Sequence, residues 1–349
     1  MRICLDYRPA LHQGTGVGTY VHGLVSALSR EHAEVELTAF SASWRHRLDS
    51  IPDADVRIVD ARVPVRLLDW LWHRRRWPPV EHWVGEVDVA HSPSPMLLPT
   101  RHARRVVTVH DCYYLRHPED VSGPVQRDYV PLTRSSLEAA DAVITVSETT
   151  RDEIVELFSL APERLHVTPL GIDPVYLRPP RPETTRALLR QLDVPEPYLL
   201  FVGRREPRKD MPTLLAAFDR LLDLLPAGNF PHLLLVGPPG PRWERDWEAA
   251  TARVRARSRC LPHQPARRLV HLYAGADALL LPSRWEGFGL TAVEAQALGT
   301  PVIAARAGAL PEVLGNTARW IEPGDAAGLA VACGEVLGDP DVAASLGEA

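Results

Sequence analysis

Lysine is almost missing from this chain. Of 39 lysine and arginine residues, a single one, Lys209, is lysine, and proline reaches 33. That bias is the compositional drift of a GC-rich genome and says nothing about fold, but it makes the position of the one remaining lysine informative. Cysteine is scarce too. Cys4, Cys112, Cys260 and Cys333 are scattered without pairing or metal-ligand spacing, which excludes a disulfide framework or a cysteine zinc site and suits reduced, buried thiols in a cytoplasmic protein. No run approaches the roughly 18 apolar residues of a membrane-spanning helix. The opening MRICLDYRPA has only a four-residue apolar run and lacks a secretory-signal pattern. Positive charge is in deficit: a net charge of −5 gives no global field for nucleic acid.

What is present is an ordinary globular composition, 45% hydrophobic and 24% charged, which excludes a disordered or fibrous chain. At 349 residues, two domains are expected. Short apolar runs alternate with helix-period segments, the signature of parallel sheets with crossover helices. RICL (2–5), VELTAF (35–40), VDVA (87–90), VVTV (106–109), AVITV (142–146) and LHVT (165–168) read as strands. Val17, Tyr20, Val21, Leu24, Val25 and Leu28 form a helical stripe after the first of them. YLRPPRPETT (176–185) reads as a linker, after which YLLFV (198–202), LLLV (233–236), ALLL (278–281) and PVIA (301–304) restart the pattern. Two α/β domains, 1–178 and 179–349, are therefore expected to face a cleft, with ligands beyond the carboxyl ends of the strands.

Four segments carry candidate chemistry. In GTGVGTY (14–20), glycines precede the amphipathic helix, so backbone amides could face an anion. The spacing is GxGxG rather than GxGxxG, and it follows the strand by about ten residues, which disfavours a dinucleotide fingerprint and with it a dehydrogenase. The plainer reading is a flexible helix entry. GRREPRKDMP (203–212) places Arg204 and Lys209 in a loop after YLLFV, with Asp210 as the expected cap of the next helix. A guanidinium and an ammonium together suit a diphosphate, whereas a solvated basic loop would be the bland alternative. In SRWEGFGLTAVEAQALGTP (283–301), Glu286 stands in a loop and Glu294 eight residues on. Thr291 and Glu294 spell a capping box, which alone would account for Glu294; no such role accounts for Glu286. TVHD (108–111) puts His110 at a strand end, one histidine among 14.

A fifth segment, Leu67 to Trp83, interleaves Trp70, Trp72, Trp77 and Trp83 with Arg74, Arg75 and Arg76. Such a helix could lie on an anionic membrane surface, giving peripheral contact with the inner membrane face. A packed helix with a solvated basic end, kept short by Pro78 and Pro79, is the plainer expectation.

Taken in order, GTGVGTY (14–20), VVTVHD (106–111), ADAVITVSETT (140–150), VTPLGIDP (167–174), FVGRREPRKDMP (201–212), LYAGADALLLPSRWEGFGLTAVEAQALGTPVIA (272–304) and GALPEV (308–313) resemble the family 4 retaining glycosyltransferases of GT-B architecture. LDYRPALHQGTGVGTY with VTVHDCYYLRHPE is most similar to mannosyltransferases of polysaccharide assembly. The resemblance implies two Rossmann-like domains, an N-terminal one on the acceptor side and a C-terminal one holding a nucleotide sugar, GDP-mannose in preference to a UDP-sugar. It implies that Arg204 and Lys209 hold the diphosphate and that Glu294 meets the ribose. Glu286 would sit by the sugar, backed by Gly287, Phe288, Gly289 and Leu290, and His110 would contact the sugar. Gly16 and Gly18 would let the first loop approach phosphate or acceptor, and the backbone near Leu261 and Pro262 would hold the base. No metal and no cofactor are implied, since the Arg/Lys pair takes the charge role. The acceptor is a saccharide or a lipid-linked saccharide. Family members usually continue into a C-terminal helix beyond the point where this sequence stops, so a shortened C-terminus is expected. A GT-B epimerase and a non-catalytic member of the fold remain the alternatives; the four residues Arg204, Lys209, Glu286 and Glu294 together argue against the latter.

Overall fold

The computed structural model describes residues 1–349 except 12, 13, 33, 45, 46, 53, 122, 124, 227, 229, 348 and 349. The chain divides into two compact units, Met1–Gly171 and Ile172–Ala349. In the first, seven strands form one sheet: β1 (Arg2–Asp6), β2 (Glu36–Ala42), β3 (Arg57–Ala61), β4 (Val89–Ser92), β5 (Arg104–Val109), β6 (Ala142–Thr145) and β7 (Leu165–Val167). Their spatial order is β3-β2-β1-β4-β5-β6-β7, and every pair is parallel. The second unit repeats the plan with β8 (Tyr198–Val202), β9 (His232–Val236), β10 (Ser258–Leu261), β11 (Ala278–Leu281), β12 (Val302–Ala305) and β13 (Arg319–Ile321), ordered β10-β9-β8-β11-β12-β13 and again all parallel.

The apolar runs become central strands because both of their faces are covered. All five residues of β8 are buried. Leu199 and Phe201 pack with Phe218 and Leu221 of the helix Met211–Leu224. Tyr198, Leu200 and Val202 pack on the other side with Leu272 and Tyr273 of the helix Ala266–Ala274. Each such side chain contributes about 1.5–3 kcal/mol by leaving water.

Two expectations need correction. The segment 176–185 is not a linker throughout. Pro174–Leu177 forms a 3₁₀ turn, and the helix Pro182–Gln191 starts inside the segment, with Pro182 at a position where its missing N–H costs nothing. Tyr176 is buried against Tyr273, ring centroids 5.9 Å apart, which ties this stretch to the second unit and puts the division at 171/172. The helix expected to start near Thr291 spans Leu290–Gln296, with Gly289 in the cap position and no side-chain capping bond. The capping-box reading of Glu294 therefore falls.

Strand order reverses once in each sheet, between β1 and β4 and between β8 and β11. In open parallel sheets the crevice beyond the carboxyl ends at such a reversal is where ligands bind. The loops that leave β8 and β11 carry the basic and acidic motifs.

Candidate active site

In the second unit the β8 loop turns at Gly203, whose φ of +146° lies in a region other residues avoid. A 3₁₀ turn, Pro207–Lys209, then presents two cations. The β11 loop runs beneath it. Its Glu286 is buried, and each carboxylate oxygen has a basic partner: the Lys209 ammonium donates to Oε1, and Arg208 Nη1 donates to Oε2 at 2.9 Å. Ser283 Oγ also donates to Oε1, at 2.6 Å. Burial alone would raise the Glu286 carboxyl. The charges of Lys209 and Arg208, with the hydrogen bonds from Lys209 and Ser283, outweigh it and hold the group at about 2. Burial pulls Lys209 the other way, below an ordinary lysine, with the Glu286 charge opposing. Beside a carboxylate held so low, the ammonium is the form this pocket accommodates.

The loops are stitched together elsewhere as well. Arg284 N–H donates to Arg208 O at 2.7 Å, and Arg284 Nε reaches the buried Asp210 carboxylate at 3.0 Å. Asp210 does head the helix Met211–Leu224, but its carboxylate serves Arg284 rather than the helix amides. The backbone of Glu286 is fixed from the GALPEV segment. Ala309 N–H donates to Glu286 O at 2.9 Å, and at Gly308, with φ of +57°, a Cβ would come within 2.2 Å of that same oxygen.

Arg204 is not part of this cluster. Its side chain is half-exposed and lies 3.7 Å from Glu206. Arg208, which the sequence reading passed over as one more basic residue, takes the position on Glu286. Arg205 is stranger: it is buried, stacks its guanidinium 4.3 Å over the Trp243 ring, and leaves Nε and Nη1 without a hydrogen-bond partner among the described residues.

Glu294 sits on the second turn of its helix, nearly buried, where Tyr273 Oη donates to Oε2 at 2.8 Å. Burial pushes this carboxyl up to about 7 against the Tyr273 hydrogen bond, and Asp173 adds to the rise. The two glutamates thus differ sharply, one held ionised by cations and the other poised to carry a proton. Gly289, with φ of +96°, leaves no room for a Cβ, which would meet Leu310 at 2.5 Å. It ends the loop Gly287–Phe288 and opens the helix at Leu290. Leu261 closes β10, and its carbonyl accepts from Gly237 N–H at 3.0 Å while its side chain joins the core.

In the first unit His110 follows β5. Its Nε2 lies 3.0 Å from Pro93 O, and a carbonyl only accepts, so Nε2 carries the hydrogen. Burial lowers the ring's basicity against that bond and the Asp111 charge, and Nδ1 is left as an acceptor. The ring stands edge-on to Tyr20, centroids 4.9 Å apart. Tyr20 Oη and the buried His91 Nε2 both meet Thr108 Oγ1, at 3.1 and 2.8 Å. This network had no signal in the sequence. Gly16 opens the helix Gly16–Glu31, and among the described residues no atom outside its own chain neighbours and helix backbone lies within 4 Å of where its Cβ would be. Gly18 N–H is already used by the cap residue, donating to Thr15 Oγ1 at 3.0 Å.

Two parallel sheets, each with a reversal, and loops that bring cations to a carboxylate define a protein of two doubly wound α/β units with a charged site at a sheet reversal. Sucrose-phosphate synthase from Thermosynechococcus elongatus superposes with a TM-score of 0.78 at 23% identity, over 100% of this chain and 92% of that one. HepE from Anabaena, solved in complex with UDP-glucose, gives 0.69 at 19% identity, over 99% and 93%. These likenesses establish the GT-B fold. The family description "Glycosyltransferase Family 4" matches residues 14–176, and "Glycosyl transferases group 1" matches 189–349. O-antigen chain mannosyltransferase B of Escherichia coli is 31% identical over 343 residues, 93% of this chain and 87% of that protein. The D-inositol 3-phosphate glycosyltransferase of Nocardia farcinica is 34% identical over 255 residues, 69% of this chain but only 56% of that one. The chain belongs to glycosyltransferase family 4 and is a glycosyltransferase.

Proposed function

We propose that the chain is a retaining hexosyltransferase that moves a hexose, mannose in preference, from a nucleotide diphosphate sugar to a saccharide or lipid-linked acceptor. The observation that carries this reading is the buried Glu286 held by Lys209 and Arg208 where strand order reverses in the second sheet. Cations so placed suit a diphosphate, and a carboxylate within reach of them suits sugar hydroxyls. The mannosyltransferase relative supports mannose and hence GDP-mannose; the UDP-glucose complex of HepE keeps a UDP-sugar as the second donor. In this reading the C-terminal unit holds the donor and the N-terminal unit serves the acceptor.

In the proposed reaction the bond from the anomeric carbon to the phosphate oxygen breaks, and its electron pair goes to that oxygen. Lys209, with Arg204 swung in from solvent, neutralises the growing charge, the role a metal ion fills in other transferases. The diphosphate competes with Glu286 for the Lys209 ammonium. A carboxylate released by that exchange is free to bind sugar hydroxyls and to face the positive charge developing on the ring. The acceptor hydroxyl attacks from the same face and loses its proton to the departing phosphate oxygen, so configuration is retained. His110 Nδ1 accepts from a sugar hydroxyl, and Glu294 binds the ribose. The loop at Gly287, Phe288, Gly289 and Leu290 backs the sugar. Main-chain atoms at Leu261 meet the base, and the turn at Gly16 and Gly18 approaches phosphate or acceptor.

The test is release of GDP or UDP from a panel of nucleotide sugars, with and without saccharide and lipid-linked acceptors. Acceptor-dependent GDP release from GDP-mannose is expected. Sugar interconversion without an acceptor would replace this reading with an epimerase, and no turnover with any donor would sink it.

A further inference from the structure

Three tryptophans of the first unit are exposed, and two of them lie on or just past one helix. Trp44, Trp70 and Trp77 are 68, 53 and 61% exposed, and Leu67 beside them is 50% exposed. The helix Val65–Arg75 organises the patch. Its inner face is fixed: Leu68 and Trp72 are buried, Asp69 pairs with Arg8 at 2.9 Å, and Trp72 Nε1 donates to Pro78 O at 2.9 Å. Its outer face carries Arg66, Leu67, Trp70 and Arg74, positions three and four apart that lie side by side, and Arg75 is exposed at the helix end. Arg76 and Trp77 follow the helix end, Arg76 Nη2 donating to Ser135 O at 3.4 Å, and just before the helix start Trp44 Nε1 donates to Arg62 O at 3.0 Å.

Positive charge accompanies the exposed rings on this surface. Arg62, Arg66, Arg74, Arg75 and Arg76 are all exposed, and none has a carboxylate partner among the described residues. Elsewhere some exposed arginines find one, as Arg104 does in Asp141 and Arg253 in Asp219 and Asp223, and others do not. Five exposed arginines without a carboxylate partner among the described residues fall within 15 positions here, on a chain whose net charge is −5. Tryptophan is favoured where one end of a side chain meets hydrocarbon and the other meets water. Arginine beside it is favoured where that boundary is negatively charged.

We propose that this face docks the enzyme on an anionic lipid bilayer. Trp70, Trp77, Trp44 and Leu67 enter the headgroup boundary, and the exposed arginines of residues 62–76 meet lipid phosphates. The inference is independent of the donor and acceptor assigned above, since lipid binding is read without turnover.

The test is co-sedimentation of the full chain with vesicles of phosphatidylcholine alone or mixed with phosphatidylglycerol, at low and high salt. Binding should require phosphatidylglycerol and weaken as salt rises. Trp70→Ser with Trp77→Ser removes two exposed rings and should leave the fold, followed by circular dichroism, unchanged while lowering partition at least tenfold. Arg74→Glu, Arg75→Glu and Arg76→Glu together should lower it about a hundredfold or more, since each arginine near such a surface is worth about a factor of five. Equal binding to both vesicles, or unchanged partition of both variants, would overturn the proposal. So would a dimer in solution that the tryptophan variant dissolves, because the face would then belong to a second copy of the chain.

Discussion

Replacing Glu286 by Gln isolates the charge at the centre of the site. The amide keeps the size of the carboxylate but cannot neutralise two cations. A carboxyl displaced from 4.5 to about 2 contributes about 3 kcal/mol to folding once ionised, at about 1.4 kcal/mol for each tenfold in the acid constant. The folded protein releases this proton more readily than the unfolded one, so the contribution is complete above about pH 5 and fades as pH falls toward 2. The variant should be about 3 kcal/mol less stable than the parent at pH 7. Roughly 2 kcal/mol of that gap should close by pH 3, where the carboxyl is almost wholly protonated in the unfolded chain but still mostly ionised in the folded one, and the amide is not affected. Urea unfolding of both proteins at half-unit pH steps reads the gap from the midpoints. Kinetics supplies the second half of the test. Gln leaves Lys209 and Arg208 free for diphosphate, so donor affinity should hold or improve while turnover falls steeply, because charge opposite the sugar matters only as the sugar becomes cationic. A stability gap under about 1 kcal/mol, or one that stays constant from pH 7 to pH 3, would refute the electrostatic reasoning. Equal losses in affinity and turnover would refute the assigned role.

Lys209→Ala should weaken donor binding about ten- to a hundredfold and cost more in turnover, measured by titration and by steady-state rates; Lys209→Arg should recover little, because a planar fork does not fit where a compact ammonium lies. Amine acylation can mark only Lys209 and the amino terminus. The buried ammonium should react slowly, faster in Glu286→Gln and slower still with nucleoside diphosphate, as read by peptide mass spectrometry; equal rates in all three states would disprove the assignment. Glu294, pushed up to about 7, costs stability as pH rises from about 4.5 through 7, so Glu294→Gln should be about 3 kcal/mol more stable than the parent at pH 8 and nearly equal at pH 4 by thermal melts. The same variant should bind donor more weakly, and a tighter-binding Gln variant would remove Glu294 from the ribose. Phe201→Ala should cost about 3–5 kcal/mol in urea unfolding, as a fully buried ring leaves a cavity; a loss near zero would show that the core of the second unit collapses around it.

Central strands were legible because burial on both faces writes a continuous apolar run. YLLFV and ALLL became β8 and β11 residue for residue. Three of the four edge strands left no such trace: RIVDA, SRCL and RWI, now β3, β10 and β13, each carry an arginine and border their sheet, so solvent takes one side and the pattern breaks. The site was legible as a set of loops rather than as contacts. Lys209 and Glu286 are 77 positions apart, and only the pairing of β8 with β11 makes them neighbours. Which arginine would join them could not be read, because Arg204, Arg205 and Arg208 look alike until the 3₁₀ turn aims the third at Glu286 and leaves the first half-exposed. Thr291 and Glu294 imitated a cap because the spacing rule cannot see that Gly289, with positive φ, starts the helix two residues earlier.

The grip of Lys209 and Arg208 on Glu286 also bears on what this protein ignores. A cell holds millimolar inorganic phosphate and many small carboxylic acids, any of which could lodge on a bare pair of cations. Here the protein supplies its own anion, attached by a short stretch of chain that is pinned at Gly308 and Ala309. A tethered group competes at an effective concentration in the millimolar range or above, so a small solute with one point of attachment gains little by displacing it. Only a molecule that binds at several points at once can pull the ammonium away. The enzyme would then show weak product-like inhibition by phosphate alone and strong inhibition by nucleoside diphosphates, a selectivity that comes from an internal rival rather than from any contact the ligand makes.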